Sequence, residues 1–159
     1  MYDYLLRIKV FREQDAANAV TRQRYIVDKC AQEVEQARAK AVEFGAYRVE
    51  KEQQLFDDIK GQAVTMRVID DMKLRVAALR EQEAEFQSEI LVAEKQLKGA
   101  QQVLEEVHQQ HAKRVREHEK FNQFIQIRHE AERLERVRCE ENELDEVASI
   151  GHRANSMAQ

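Results

Sequence analysis

Proline and tryptophan are absent from the 159 residues, and glycine occurs only 4 times. Ordinary usage would supply about 5% Pro and about 7% Gly. Those two residues make tight turns, one by fixing φ and the other by tolerating positive φ. All-β and α/β architectures need many such turns, so the scarcity excludes both. Cysteine is also sparse: Cys30 and Cys139 make no disulfide framework, which fits a reducing compartment. No apolar run approaches the roughly 20 residues of a membrane span, so membrane insertion is not expected. The opening stretch, residues 1–11, mixes Asp3, Arg7 and Lys9 with its apolar residues and lacks the unbroken apolar core of a secretion signal. These features predict a cytoplasmic protein. Neither charge sign dominates: 26 basic residues stand against 30 acidic ones, net −4, so nucleic acid is not an expected partner.

What the chain does contain is helix-forming residues. Ala, Glu, Lys, Leu and Arg account for 77 positions, or 48%, close to the share of about half that marks coiled coils and long helices. Val, Ile, Leu, Met and Phe total only 43, few for one compact core but enough for a thin apolar seam. A coiled coil repeats apolar residues every 3.5 positions on average. Two sets spaced by seven run through the second half: Ile69, Val76, Glu83, Ile90, Leu97, Leu104, His111, His118, Ile125, and Met72, Leu79, Phe86, Ala93, Ala100, Val107, Arg114, Phe121. Thirteen of these 17 positions are apolar, where the overall 43% apolar content would give about seven by chance. The first half carries its own seam at Ala16, Val20, Gln23, Val27, Cys30, Val34, Ala37, Ala41 and Phe44. Arg48 and Lys51 then break it, and it resumes weakly at Leu55, Phe56 and Ile59.

Gly61-Gln62-Ala63-Val64-Thr65 lies between the halves. Glycine just past a helix end is a common stop, and Thr65 is suited to cap the helix that follows. The expected layout is one hairpin over residues 1–159: a helix over about 3–60, a turn at 61–65, a helix over about 66–150, and a frayed tail at 151–159 after Gly151. If the chain reverses near position 63 or 64, facing residues have numbers summing to about 127. That pairs Val20 with Val107, Val27 with Ala100, Cys30 with Leu97, Val34 with Ala93, Ala37 with Ile90 and Ala41 with Phe86. Several of these pairs set a small residue against a larger one, as facing layers prefer. Glu13 would meet Arg114 as an ion pair, Leu6 would meet Phe121, and Tyr2 would meet Ile125. The fold class expected is therefore all-α: two long helices forming an antiparallel coiled-coil hairpin with a C-terminal helical overhang. The overhang, about 25 residues or ~37 Å, continues through Phe124, Ile127, Ala131, Leu134, Leu144 and Ala148, with its apolar phase shifted after Ile125.

Chemistry is scarce. Glu105-Glu106-Val107-His108 holds a single Glu-x-x-His, whereas helical di-iron sites need two copies and two further Glu. His129-Glu130 begins like a zinc-protease motif, but Arg133 stands where the second His belongs. No phosphate loop or nucleophile motif is present. No metal, cofactor or enzymatic activity is expected. Residues 113–138 carry eight basic and five acidic side chains, and 140–146 carry five acidic and none basic. That pattern suits either a solvated helix face or a charged tip that meets a charged partner.

The opening Leu5-Leu6-Arg7-Ile8-Lys9-Val10-Phe11-Arg12-Glu13 resembles the start of the type III secretion stalk proteins, the FliJ/YscO/SctO family. The stretch from Leu55-Phe56 through Val64-Thr65 to Met72 is similar to the reversal in the injectisome branch, and the length, lack of Pro and hairpin layout agree across nearly the whole chain. The resemblance implies a central stalk in a hexameric export ATPase, promoting ring assembly and ATP hydrolysis and linking the ring to the export gate protein, with secretion chaperones as further partners. It implies a protein that is monomeric alone and lies at the inner membrane only through the secretion apparatus. Carried over position by position, Leu5, Arg7, Ile8 and Arg12 with Arg128, Arg133 and Arg136 would face the ATPase, and Val64, Met66, Ile69 and Met72 would face the gate. Leu5 and Ile8 fit the hairpin core equally well. Two other readings use the same rod: a generic coiled-coil tether or spacer, and a chaperone escort that does not stimulate an ATPase.

Overall fold

The computed structural model describes residues 1–157 and contains two helices. Helix α1 spans Tyr2–Ile59 and helix α2 spans Met66–Met157, 58 and 92 residues respectively. Between them the chain turns at Gly61, whose φ of 74° lies in the left-handed region that only glycine enters without strain. The Lys60 N–H closes the last turn of α1 on the carbonyls of Phe56 and Asp57. The Thr65 carbonyl accepts from the N–H groups of Val68 and Ile69, so Thr65 is the residue from which α2 starts.

The described residues divide into two compact units, Ala17–Gln110 and Met1–Ala16 with those from His111 onward. In the first unit α1 and α2 run antiparallel. Gln23 reaches the carbonyl of Ala100, Arg38 pairs with Glu94, Phe44 packs on Phe86, and Arg48 and Glu52 meet Glu83 and Arg80. In the second unit the same descending order holds: Tyr2 against Phe124, Lys9 near Glu117, and Glu13 bonded to His118.

The seam is where the heptads place it. All 17 seam positions counted on α2 and all nine on α1 are buried or half-buried. Val20, Val34, Ala41, Ala93 and Ala100 are the deepest in the first unit and Ala16 in the second, while Val27, Phe86 and Val107 are half-buried. Every buried side chain among the described residues is an Ala or a Val. Two helices alone surround each layer on only two sides, so Ala and Val can be enclosed and Phe or Leu keeps one edge in water.

Two local expectations are corrected. The α1 seam does not break at Arg48. Arg48 and Glu52 occupy seam positions one turn apart and are only 19% and 13% exposed as side chains. Arg48 joins Glu52 at 3.0 Å and Glu83 at 2.6 Å, and Arg80 joins Glu52 at 3.1 Å. The seam therefore passes through a polar layer, and Lys51 points to solvent beside it. Glu13 does not pair with Arg114. It takes His118 one turn further along α2, because Arg114 bonds within its own helix to Glu117 at 2.9 Å. Tyr2 packs on Phe124, ring edge to face at 5.7 Å.

The stretch from Gly151 to Met157 is helical, where a frayed tail was expected; positions 158 and 159 of that tail lie outside the described residues. Gly151 keeps negative φ. A glycine that does not enter the left-handed region costs a helix about 1 kcal/mol relative to Ala and does not end it.

Candidate partner-binding surfaces

Among the described residues there is no cluster of three His, Cys, Asp or Glu side chains able to hold a metal ion, and no helix long and apolar enough to cross a membrane. The functional candidates are surfaces, built from residues the seam leaves over.

On α1 the seam runs through Tyr2, Leu6, Lys9 and Glu13, all turned toward α2. Leu5, Arg7 and Arg12 fall between these positions and are exposed, Leu5 at 40%. Ile8 is half-buried at the seam's edge. Of the two readings open for Leu5 and Ile8, burial favours the surface for Leu5 and the packed edge for Ile8.

Beyond Ile125 every described residue of α2 is exposed. The uncovered stretch keeps large apolar side chains at Ile127, Leu134, Val137, Leu144, Val147 and Ile150, from 40% to 69% exposed. Arg128, Arg133 and Arg136 are exposed on the same stretch. Arg133 grips Glu130 with two bonds, 2.6 and 3.1 Å. That pair raises the Arg133 pKa and holds the Glu130 carboxyl below its ordinary range, first through the hydrogen bonds and then through the opposite charge. Arg128 lies 3.9 Å from Glu132. Leu5, Arg7, Arg12 and these three arginines all belong to the second unit.

At the reversal, Val64, Ile69 and Met72 are half-buried and Met66 is 70% exposed. Val64 and Met72 line a shallow groove with Leu55, Ile59 and Val68, edged by Asp58, Asp71 and Arg75. An apolar floor with charged edges suits a protein contact more than a small polar ligand.

Two features went unseen in the sequence. One is the Arg48–Glu52–Glu83–Arg80 layer. Its signal was present, since Arg48 stands four residues after Phe44 and so on the seam. The other is an aromatic group of Phe44, Tyr47 and Phe86, with ring centroids 4.9 and 5.8 Å apart, whose Tyr47 is half exposed.

Two antiparallel helices packed along a thin seam, with the far part of α2 exposed, define the described residues as an all-α coiled coil. The family model for the type III secretion protein YscO matches residues 3–150. The crystal structure of the type III secretion protein YscO from Vibrio parahaemolyticus superposes with a TM-score of 0.85 and 29% identity, covering 92% of each chain. No curated protein sequence matches. This chain therefore belongs to the YscO family of type III secretion proteins, which supports the injectisome branch.

Proposed function

We propose that this protein is the central stalk of a type III secretion export ATPase, promoting assembly of the hexameric ring and its ATP hydrolysis and linking the ring to the export gate. The observation that carries the reading is the uncovered stretch of α2. From residue 126 onward every described residue is exposed, yet the stretch keeps seven large apolar side chains in water among five arginines. Contiguous exposed apolar surface with a charged margin marks interaction sites. Leu5, Arg7 and Arg12, in the same unit, add to the surface offered to the ATPase, with Ile8 at its edge. Membership of a secretion family supports an apparatus partner. The groove at Val64 and Met72, with Met66 and Ile69 close by in sequence, is the surface assigned to the gate protein.

The test is ATP hydrolysis by the cognate export ATPase with and without this protein. Stimulation is expected, with loss of most of it on replacing Arg128, Arg133 and Arg136 together by Glu. An unchanged rate and unchanged ring assembly would favour a tether. Chaperone binding without stimulation would favour an escort protein.

A further inference from the structure

The apolar stripe of the uncovered helix has an internal symmetry that neither helix of the hairpin explains. It runs Ile127, Ala131, Leu134, Val137, Glu141, Leu144, Val147, Gly151, with steps of 4, 3, 3, 4, 3, 3 and 4 residues. That series is the same read in either direction. Its mean step is close to the 3.5 of a two-stranded coiled coil. Six of the eight residues are apolar, and all eight are exposed.

We infer that a second copy of this chain covers the stripe, with two uncovered α2 segments pairing antiparallel about a two-fold axis at the level of residue 139. A two-fold contact must be self-complementary, each residue meeting its mirror position. Here Ile127 faces Gly151, Ala131 faces Val147, Leu134 faces Leu144 and Val137 faces Glu141. The first two pairs set a large side chain against a small one, which lets facing layers interlock, and the leucines make the central apolar contact.

Charge selects the direction. A parallel, in-register pair would set the five acids of 140–146 against the same five acids of the other copy. In the antiparallel pair that segment faces 132–138, where Arg133, Arg136 and Arg138 outnumber Glu132 and Glu135. Cys139 sits at the level of the axis, but two residues from both Val137 and Glu141, so it lies on the far side of the helix. The facing zone begins just beyond Phe124, on which Tyr2 packs. The second copy and α1 thus use consecutive stretches of α2. This reading departs from the expectation of a monomer, and it stands or falls without any ATPase.

Sedimentation of the full chain alone is the first measurement. The mass is expected to rise from 18.7 kDa toward twice that value with concentration. Leu134→Ala is expected to weaken self-association by about tenfold or more, with the helical circular dichroism signal retained. Direction is read by cysteine crosslinking after Cys30→Ser and Cys139→Ser. Ala131→Cys mixed with Val147→Cys is expected to give a disulfide-linked dimer, while each variant alone stays uncrosslinked. A chain that remains at 18.7 kDa at its highest soluble concentration overturns the proposal, as does self-crosslinking of either single-cysteine variant.

Discussion

At the scale of single residues, two glycines of one chain should respond oppositely to the same substitution. Gly61 holds positive φ with nothing within 4 Å of where a Cβ would stand, so backbone conformation alone decides its role. Gly61→Ala should destabilise by about 1–2 kcal/mol, the penalty of the left-handed region for an L-residue. Gly99 is helical, exposed and equally uncrowded. Gly99→Ala should stabilise by roughly 1 kcal/mol through helix propensity and the loss of unfolded-state freedom. Thermal midpoints separated in these two directions would confirm the assignment, and a shared sign would refute it. Glu52 offers a test by pH. Bonds from Arg80 and then Arg48 hold its carboxyl below the ordinary glutamate range, outweighing the burial that would raise it. A depressed folded-state pKa means its stabilisation is complete above the unfolded-state value and fades as pH falls through the folded one. Glu52→Gln should therefore lower the urea midpoint at neutral pH, and the gap from the parent should narrow on acidification. A gap that does not change between neutral and acid pH would show that the charge of Glu52 contributes nothing.

At the scale of the paired helices, the two seams make a sharper demand. Val34, at 3% exposure, and Ala93, at 9%, both sit in the seam of the first unit. With Cys30 and Cys139 replaced by Ser, Val34→Cys with Ala93→Cys should form a disulfide within one chain. Crosslinked species made only between chains would mean that α1 and α2 of one molecule are not each other's partners there. Much of this pairing was legible in advance, because heptad spacing fixes which face of a helix is buried and the reversal fixes which positions oppose. Spacing does not fix which neighbour a polar side chain chooses. Glu13 had Arg114 and His118 one turn apart on the facing helix, and the intrahelical bond from Arg114 to Glu117 settled the choice. Arg48 looked like an interruption because a seam is recognised by apolar residues, while its three-carbon stem and four-member ion network satisfy the same position. Gly151 looked like a stop because composition does not reveal φ. The candidate surfaces were legible as exposure, since Arg128, Arg133 and Arg136 lie past the last paired position. Their partners were not, because a single chain carries only half of each interface.

At the scale of the whole molecule, burial is unevenly shared, and stability should follow it. Among the described residues, five of the six that are deeply buried, Val20, Val34, Ala41, Ala93 and Ala100, belong to the Ala17–Gln110 unit and Ala16 to the other. An isolated helix is marginal in water, and most helical stability in proteins comes from a packed face. Residues 127–157 have no packed face in one chain. Amide hydrogen exchange should therefore be slowest around Val34 and Ala93, faster near Tyr2 and Phe124, and fastest beyond residue 126 in dilute protein. Equal protection at Leu144 and Val34 at high dilution would contradict that gradient. Concentration adds a second axis to the same measurement. If a second copy covers the stripe, raising protein concentration should slow exchange between residues 127 and 151 while leaving Val34 unchanged, because only the uncovered helix gains a partner. Export ATPase added at the dilute end should slow the same amides through a different partner. Protection that follows ATPase but not protein concentration would keep the stalk reading and discard the self-paired helix, and the reverse pattern would separate them the other way.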